Sequence, residues 1–171
     1  PYETQDIKDS IVSFHNDKMS MAENKANFKN PLNIKTTKGN FKTLKMELDN
    51  KLSSLKEVDF INDETQFKAK LARTGINEII SSVSKSAKQG FKFYQHFAVA
   101  MDLKNVFKRA HFQGKSPDTK HGDPNVTIYR FTSPVLLDNE KQANALLTLK
   151  EWREDGKRLY ALKLEQLEKK D

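Results

Sequence analysis

The feature that most constrains the fold is a series of alternating segments near the end of the chain, joined by short turn sequences. Val126–Thr132, Ala143–Trp152 and Arg158–Leu167 alternate along their length and are rich in apolar residues, a pattern typical of half-buried strands. Asp138-Asn139 is predicted to turn the chain between the first two segments, and Asp155-Gly156 is a strong signal for a hairpin between the last two. The sequence therefore predicts an antiparallel meander of three or four strands.

Two proline-containing stretches are predicted to interrupt this sheet. Pro134 should break the first strand before Val135–Leu137 resumes it, because proline has no N–H for the ladder. Upstream, Ser116-Pro117-Asp118 and Gly122-Asp123-Pro124-Asn125 are turn residues. They predict a loop of about ten residues, from Lys115 to Asn125.

The segments before the sheet show helical spacing instead. The predicted helices cover residues 3–29, the stretch from an Asn40 cap to Leu55, a stripe of Ile76, Ile79, Ile80 and Val83 closed by Gly90, then Phe93–Met101 and Leu103–Ala110. A short strand is predicted at Leu32–Ile34, and a small hairpin from Val58–Ile61 and Gln66–Leu71. N-terminal helices followed by a C-terminal antiparallel β-sheet make an α+β fold. We expect an N-terminal helix or linker arm over residues 1–30 and a single α+β domain over 31–171.

The net charge of +7 is concentrated in the part of the chain that forms the sheet. Residues 72–171 hold 18 Lys and Arg against 12 Asp and Glu, whereas residues 1–71 hold 12 against 11. A basic surface attracts polyanions and speeds their encounter, so the expected partner is RNA, tRNA among the candidates. A lysine-rich surface without any ligand would give the same balance.

The sequence lacks the motifs that are typical of several classes of enzyme and metal site. The chain has no cysteine, which excludes disulfides and thiolate catalysis. It has no P-loop, GxGxxG, HExxH or GxSxG motif, and His121-Gly122-Asp123 has no third ligand spaced to complete a metal site. We therefore expect no cofactor and no metal. The sequence contains no run of 18 apolar residues, so no membrane span is predicted, and its first residues lack a signal-peptide pattern. A chain without cysteine suits a reducing cytosol, so we expect action in the cytoplasm, although such a chain would also survive export.

Strand alternation sorts the side chains of the last predicted hairpin onto two faces. With Asp155-Gly156 as a two-residue turn, Leu149 faces Leu162 and Leu147 faces Leu164. These pairs predict the face that packs against the core.

The opposite face of that hairpin carries the polar candidates Thr148, Lys150, Lys163 and Trp152. Two ammonium groups, a hydroxyl and an indole suit a phosphate and a stacked base. An antiparallel sheet with an ordinary solvated outer face would carry similar residues. Arg130, in the preceding strand, could clamp a phosphate with two hydrogen bonds or pair with a carboxylate of the fold.

Two histidines are candidates for function. His96 lies among aromatic residues at 93–97 and could move protons in RNA cleavage, or it could be a buried polar residue with satisfied hydrogen bonds. His121 lies beside Lys120 in the predicted basic loop, where both could contact RNA.

Several segments along residues 75–168 together resemble the large polyvalent protein-associated domains of phages and mobile elements. They are Lys85–Phe91, His96-Phe97 with Ala100, Val106–Ala110, Asp123–Asn125, Arg130-Phe131, Thr148–Glu151 and Tyr160–Leu164. Those domains are similar to the BECR nuclease fold of barnase, EndoU, colicin E5/D and RelE-like proteins.

The resemblance implies a metal-independent ribonuclease, as a toxin or effector module delivered into a target cell and paired with an acidic immunity protein. Its matching positions are Lys85, His96, Arg130, Thr148, Lys150 and Tyr160. His96 would be the acid or base, Arg130 and Lys150 would stabilise charge on the phosphorane, and Thr148 and Tyr160 would donate hydroxyl hydrogens. Alternation, however, places Tyr160 with the core leucines. The histidine expected before the Asp123–Asn125 turn is displaced to His121 or lost.

If that histidine is lost, the chain is instead an inactive module that binds nucleic acid or protein within a larger mobile-element polyprotein. Both hypotheses use the same basic face of the sheet. They differ in whether bound RNA is cleaved.

Overall fold

The computed structural model describes residues 30–118 and 122–170. The predicted helix over residues 3–29 lies outside this part of the chain. Asn30 is held by Arg109, whose guanidinium donates a hydrogen bond to the Asn30 carbonyl oxygen. The predicted domain division at residue 30 stays a prediction.

The order of elements in the described residues confirms the α+β architecture. The strands are β1 (Leu32–Ile34), β2 (Phe60–Ile61), β3 (Lys68–Ala69), β4 (His111–Asp118), β5 (Asp123–Leu137), β6 (Lys141–Glu154) and β7 (Lys157–Lys169). The helices are α1 (Phe41–Ser54), α2 (Arg73–Ser81), α3 (Val83–Lys88), α4 (Phe93–Met101) and α5 (Leu103–Lys108). All five helices precede the long strands β4 to β7.

One curled, mostly antiparallel sheet organises the domain. Strands β4 to β7 pair antiparallel with their neighbours in chain order, as a meander does. Strand β1 adds to the end of β5 in parallel, with Leu32 opposite Val135. Strands β2 and β3 form a separate antiparallel pair, which confirms the predicted small hairpin.

Helix α1 begins where the sequence predicts, because Asn40 caps it. The Asn40 side chain accepts hydrogen bonds from the backbone N–H groups of Lys42 and Thr43, which otherwise have no partner in the first turn. Leu48 and Leu52 on this helix are fully buried. No helix in the described part of the chain is long and apolar enough to cross a membrane.

The inner face of the sheet packs against the helices and contains the core. Leu149 lies opposite Leu162 and Leu147 opposite Leu164, as predicted, and all four are at most 1% exposed. Burying a leucine side chain fully stabilises a fold by about 1.5–3 kcal/mol. These leucine pairs therefore contribute much of the stability of the β6–β7 hairpin.

The stripe from Ile76 to Val83 forms two helices, not one. Helix α2 ends at Ser81 and α3 starts at Val83, with Ser82 at the joint. The Ser82 hydroxyl lies 3.2 Å from the carbonyl oxygen of Leu164 in β7, so the break brings a polar side chain to the edge of the sheet. Gly90 follows the end of α3 with a φ of 88°, which confirms its predicted place after the helix.

The predicted loop over Lys115–Asn125 is wrong over most of its length. Residues through Asp118 belong to β4, and β5 begins at Asp123. The turn-forming types mislead because, among the described residues, β4 pairs only with β5. Proline is tolerated on such an edge strand, and the register shifts next to Pro117.

The predicted break at Pro134 is also wrong, since β5 runs through it without interruption. Two different strands pair with the same side of β5. Strand β4 reaches Thr132 and β1 begins opposite Val135. Pro134 falls in the gap between them, where a missing N–H need not break a ladder on that side.

Both predicted hairpin turns are confirmed, and both use left-handed backbone. Asp138 and Asn139 have φ of 53° and 59°, while Asp155 and Gly156 have 51° and 79°. Asp155-Gly156 is a two-residue loop, in which two positive φ angles match the right-handed twist of the strands on either side. The first turn has three residues, since Leu137 pairs with Lys141.

Gly156→Ala should lower the free energy of unfolding by about 1 kcal/mol, because a Cβ is unfavourable in left-handed backbone. The measurement is urea unfolding followed by circular dichroism. Gly39→Ala is the matched control, since Gly39 has no positive φ of this kind. Equal midpoints for the two variants would contradict the turn geometry.

Candidate functional site

Three of the predicted site residues form one row across the outer face of the sheet. Arg130 on β5 lies opposite Thr148 on β6, and Thr148 lies opposite Lys163 on β7. Neighbouring strands are about 5 Å apart, so the three side chains emerge side by side. We call Arg130, Thr148 and Lys163 the polar row.

A second row adjoins the polar row on the same face. Lys150 lies between Ile128 and Ala161 and is exposed, as Arg130 is. The Arg130 guanidinium donates a hydrogen bond to the Ser116 hydroxyl of β4, at 2.6 Å. Trp152 is half-buried two residues beyond Lys150. Two exposed cations, hydroxyl groups and an indole therefore share this face.

The carboxylate of Glu165 joins the polar row to helix α3. Its oxygens lie 3.0 Å from Lys163 Nζ, 3.1 Å from Thr148 Oγ1 and 3.2 Å from Lys85 Nζ. The ammonium group of Lys163 also lies 2.7 Å from the Glu78 carboxylate of α2. We call Lys85, Thr148, Lys163 and Glu165 the carboxylate cluster.

Strand β7 contains a β-bulge at Glu165. Leu147 of β6 pairs with Leu164 but Leu146 pairs with Gln166, so Glu165 is an extra residue in β7. Leu164 on one side of the bulge and Leu167 on the other both remain buried. Glu165 shares the outer face with Lys163 by ordinary alternation, and the extra residue returns Leu167 to the inner face.

The charges in the carboxylate cluster stabilise one another. Burial opposes ionisation of Glu165, but the hydrogen bonds and charges of Lys163 and Lys85 outweigh it and hold the pKa of Glu165 below its usual range. Burial likewise opposes the charge of Lys163, yet Glu78 and Glu165 raise the pKa of Lys163 above its usual value. Both groups are therefore charged at neutral pH.

His96 does not lie on the outer face. It is 0% exposed, with Nε2 at 2.8 Å from the Ile79 carbonyl oxygen and Nδ1 at 2.7 Å from the Ser86 hydroxyl. A carbonyl oxygen only accepts, so Nε2 carries the proton and Nδ1 accepts from Ser86. The Ser86 oxygen in turn accepts from the backbone N–H of Leu167, at 2.8 Å.

This environment disfavours a charged imidazole. Burial lowers the pKa of His96 to about 4, although the bond to Ile79 acts in the opposite direction. Protonating Nδ1 would also displace the hydroxyl hydrogen of Ser86. The position therefore favours the structural interpretation of His96, in which it joins α2, α3, α4 and β7.

Tyr160 lies on the inner face, as strand alternation predicts. Its ring stacks on Phe67 with the centroids 4.9 Å apart. Burial and a hydrogen bond with Glu151 raise the pKa of Tyr160 well above its usual value. Tyr129 donates a hydrogen bond to the same carboxylate at 3.2 Å. Tyr160 is thus separated from the polar row by the thickness of the sheet.

The remaining candidates divide as follows. Lys120 and His121 lie outside the described residues, so their predicted contacts with RNA stay predictions. Lys85, Thr148 and Lys163 come together with Glu165, which the sequence reasoning did not single out. Across residues 30–118 and 122–170, no group of three or more His, Asp or Glu side chains could hold a metal ion.

The chain matches the model of a known protein family. The family model described as large polyvalent protein-associated domain 3 matches residues 39–160. This range contains the five helices, β4 to β6 and the first residues of β7. No curated protein and no solved structure matches the chain significantly.

The depressed pKa of His96 should make stability depend on pH. The unfolded chain binds a proton near the usual pKa of 6.5 and the folded protein only near 4. The free energy of unfolding should therefore fall as the pH drops from 6.5 towards 4, by about 2 kcal/mol at pH 5 relative to pH 7.5. Urea unfolding at the two pH values measures this loss.

His96→Gln provides the comparison, because an amide can hydrogen-bond but does not titrate. This variant should be less stable at pH 7.5 and should lack the His96 part of the pH dependence. The same change between the two pH values in wild type and variant would show that His96 is not the group responsible.

Proposed function

This chain belongs to the large polyvalent protein-associated domain 3 family, and on that premise we propose that it binds the phosphate backbone of RNA through the outer face of its sheet. The observation that carries the proposal is the pair of exposed cations, Arg130 and Lys150, beside the hydroxyl groups of Thr148 and Ser116. Such a face holds phosphates by charge and by hydrogen bonds, without reading sequence.

The chemistry of the two cations suits a backbone contact. Arg130 has a planar guanidinium that can hold a phosphate with two hydrogen bonds, and its contact with Ser116 fixes the direction in which it points. Lys150 supplies a flexible point charge in the adjacent row. Trp152 offers a ring on which an unpaired base can stack. Together these groups favour single-stranded RNA over a base-paired helix.

The charge of the whole face is less positive than its lysines suggest. Lys85 and Lys163 are both bonded to Glu165, and Lys163 is also bonded to Glu78. The affinity for RNA should therefore come mainly from Arg130 and Lys150. Binding through so few contacts is expected to be weak at physiological salt.

Metal-independent ribonuclease activity is a second candidate function. It is favoured by the polar row, in which the hydroxyl of Thr148 lies between two cations, as charge stabilisation of a phosphorane requires. The acid–base group is its weak point, since the described His96 and His111 are 0% and 2% exposed. Two carboxylates contact this row through Lys163, those of Glu78 and Glu165. Glu165 also contacts Thr148, and its lowered pKa makes it a weak base. A toxin role with an acidic immunity partner would follow only from such activity.

Incubation with total RNA in EDTA separates the two functions. We expect the RNA to stay intact on a denaturing gel with the wild-type protein, because a binding face lacks an effective base. Discrete cleavage by wild type that is lost in Glu165→Gln would establish the ribonuclease instead. A retained ability of that variant to shift RNA would show that the loss concerned cleavage alone.

RNA binding should depend on Arg130 and Lys150. Arg130→Ala and Lys150→Ala should each weaken binding of a fluorescent single-stranded RNA by roughly threefold to tenfold. Each should also make the dependence of log affinity on log salt shallower by about 0.7. Fluorescence anisotropy across a salt series measures both effects.

Lys104→Ala is the matched control, because Lys104 is exposed on α5 and not on the sheet. It removes the same charge from the same protein. If it weakens binding as much as Lys150→Ala does, attraction is due to net charge and the outer face is not the binding surface.

A further inference from the structure

The carboxylate cluster has the donor arrangement of an anion site. Three donors from three different elements converge on one carboxylate: Lys85 from α3, Thr148 from β6 and Lys163 from β7. A phosphate group offers oxygen acceptors of the same kind and greater charge. Lys163 is additionally oriented by Glu78, at 2.7 Å. The donors are thus held in place by the fold, with Glu165 as their acceptor.

The cluster continues the RNA-binding face. Thr148 and Lys163 belong to the polar row, so the three donors begin directly beside Arg130. An RNA strand that contacts Arg130 and follows this row reaches the carboxylate cluster next. The negative charge of Glu165 repels it there.

A phosphate can reach the donors that Glu165 occupies. The side chains of Lys85 and Glu165 are 52% and 24% exposed, so water and ions reach the pair. If a phosphate takes the place of the carboxylate, the same two ammonium groups contact the phosphate, so their charges stay paired after the exchange.

We propose that Lys85, Thr148 and Lys163 form a phosphate site for RNA whose acceptor in the free protein is the carboxylate of Glu165, so that Glu165 limits the affinity of the face. This inference rests on the proposed RNA binding and adds to it both a site and an internal competitor. Glu165 occupies the site in the absence of RNA, and a backbone phosphate replaces it when RNA binds.

Glu165→Gln should therefore bind RNA more tightly than wild type, by roughly threefold to tenfold, with a salt dependence steeper by about 0.7 to 1.4 for one or two added phosphate contacts. Fluorescence anisotropy with a 20-nucleotide uridine RNA measures both quantities. Thermal unfolding of each variant verifies that it is folded.

Glu168→Gln is the matched control for the change in net charge. Glu168 lies on the same strand, but opposite Asn144 and not beside Thr148. Equal affinities for Glu165→Gln and Glu168→Gln would overturn the proposal, because the gain would then be one of net charge. A larger gain for Glu165→Gln supports it.

A second pair of variants tests the donors. Lys85→Gln added to Glu165→Gln should remove most of the gain in affinity. Lys88→Gln added instead should remove little of it, although Lys88 is exposed on the same helix α3. Equal losses from the two lysines would overturn the assignment of Lys85 to the site.

The failures of the two proposals are distinguishable. If Arg130→Ala weakens RNA binding but Glu165→Gln and Glu168→Gln have equal affinities for RNA, the phosphate site is refuted and the proposed RNA binding stands. Absence of RNA binding by wild type and Glu165→Gln, even at low salt, refutes both.

Discussion

The backbone N–H and C=O groups on the edge of β7 that faces away from β6 need hydrogen-bond partners, and much of the structure depends on how they obtain them. An unpaired strand edge leaves backbone groups without partners and invites pairing with other chains. Here Lys70 exchanges hydrogen bonds with the backbone of Tyr160 and Leu162, each at 3.0 Å. Further along, Ser82 lies beside the Leu164 carbonyl and Ser86 accepts from the Leu167 N–H. His96 contacts both serines, with Nε2 at 3.1 Å from the Ser82 hydroxyl and Nδ1 at 2.7 Å from the Ser86 hydroxyl, so the buried histidine helps to hold both serines at this edge.

The carboxylate cluster lies beside the same edge of β7. The bulge at Glu165 falls between the two backbone groups that the serines satisfy, the Leu164 carbonyl and the Leu167 N–H. Lys85 of α3 contacts the Glu165 carboxylate at the same place. The inner face supplies the stability through its leucines, whereas the partly exposed ion pairs supply little. Substitutions on the outer face can therefore alter binding while leaving the fold nearly unchanged.

The sequence predicts this fold where the determinants are local. Alternation together with the Asp155-Gly156 turn gives the pairing of Leu149 with Leu162, and the outward direction of Lys150, without any distant contact. Predictions fail where pairing with another strand decides whether a residue type is tolerated at a position. Pro117 and Pro134 lie inside strands because of what pairs beside them. Alternation alone places Glu165 on the same face as Lys163, but its partner Lys85 is 80 residues away in the chain. Nothing local therefore marked Glu165 as the centre of a cluster. The aromatic neighbours of His96 did signal its burial.

The attachment of β1 has a consequence for the order of folding. Strands β4 to β7 follow one another with only two to four residues between them and can assemble by closing successive hairpins, each over a short length of chain. Strand β1 pairs with β5 only after a far larger loop has closed, since Thr36 and its partner Asp138 are 102 residues apart. Closing so long a loop carries an entropic cost before any contact offsets it. We therefore expect the meander to act as the template, and β1 to join it late and to leave it first on unfolding.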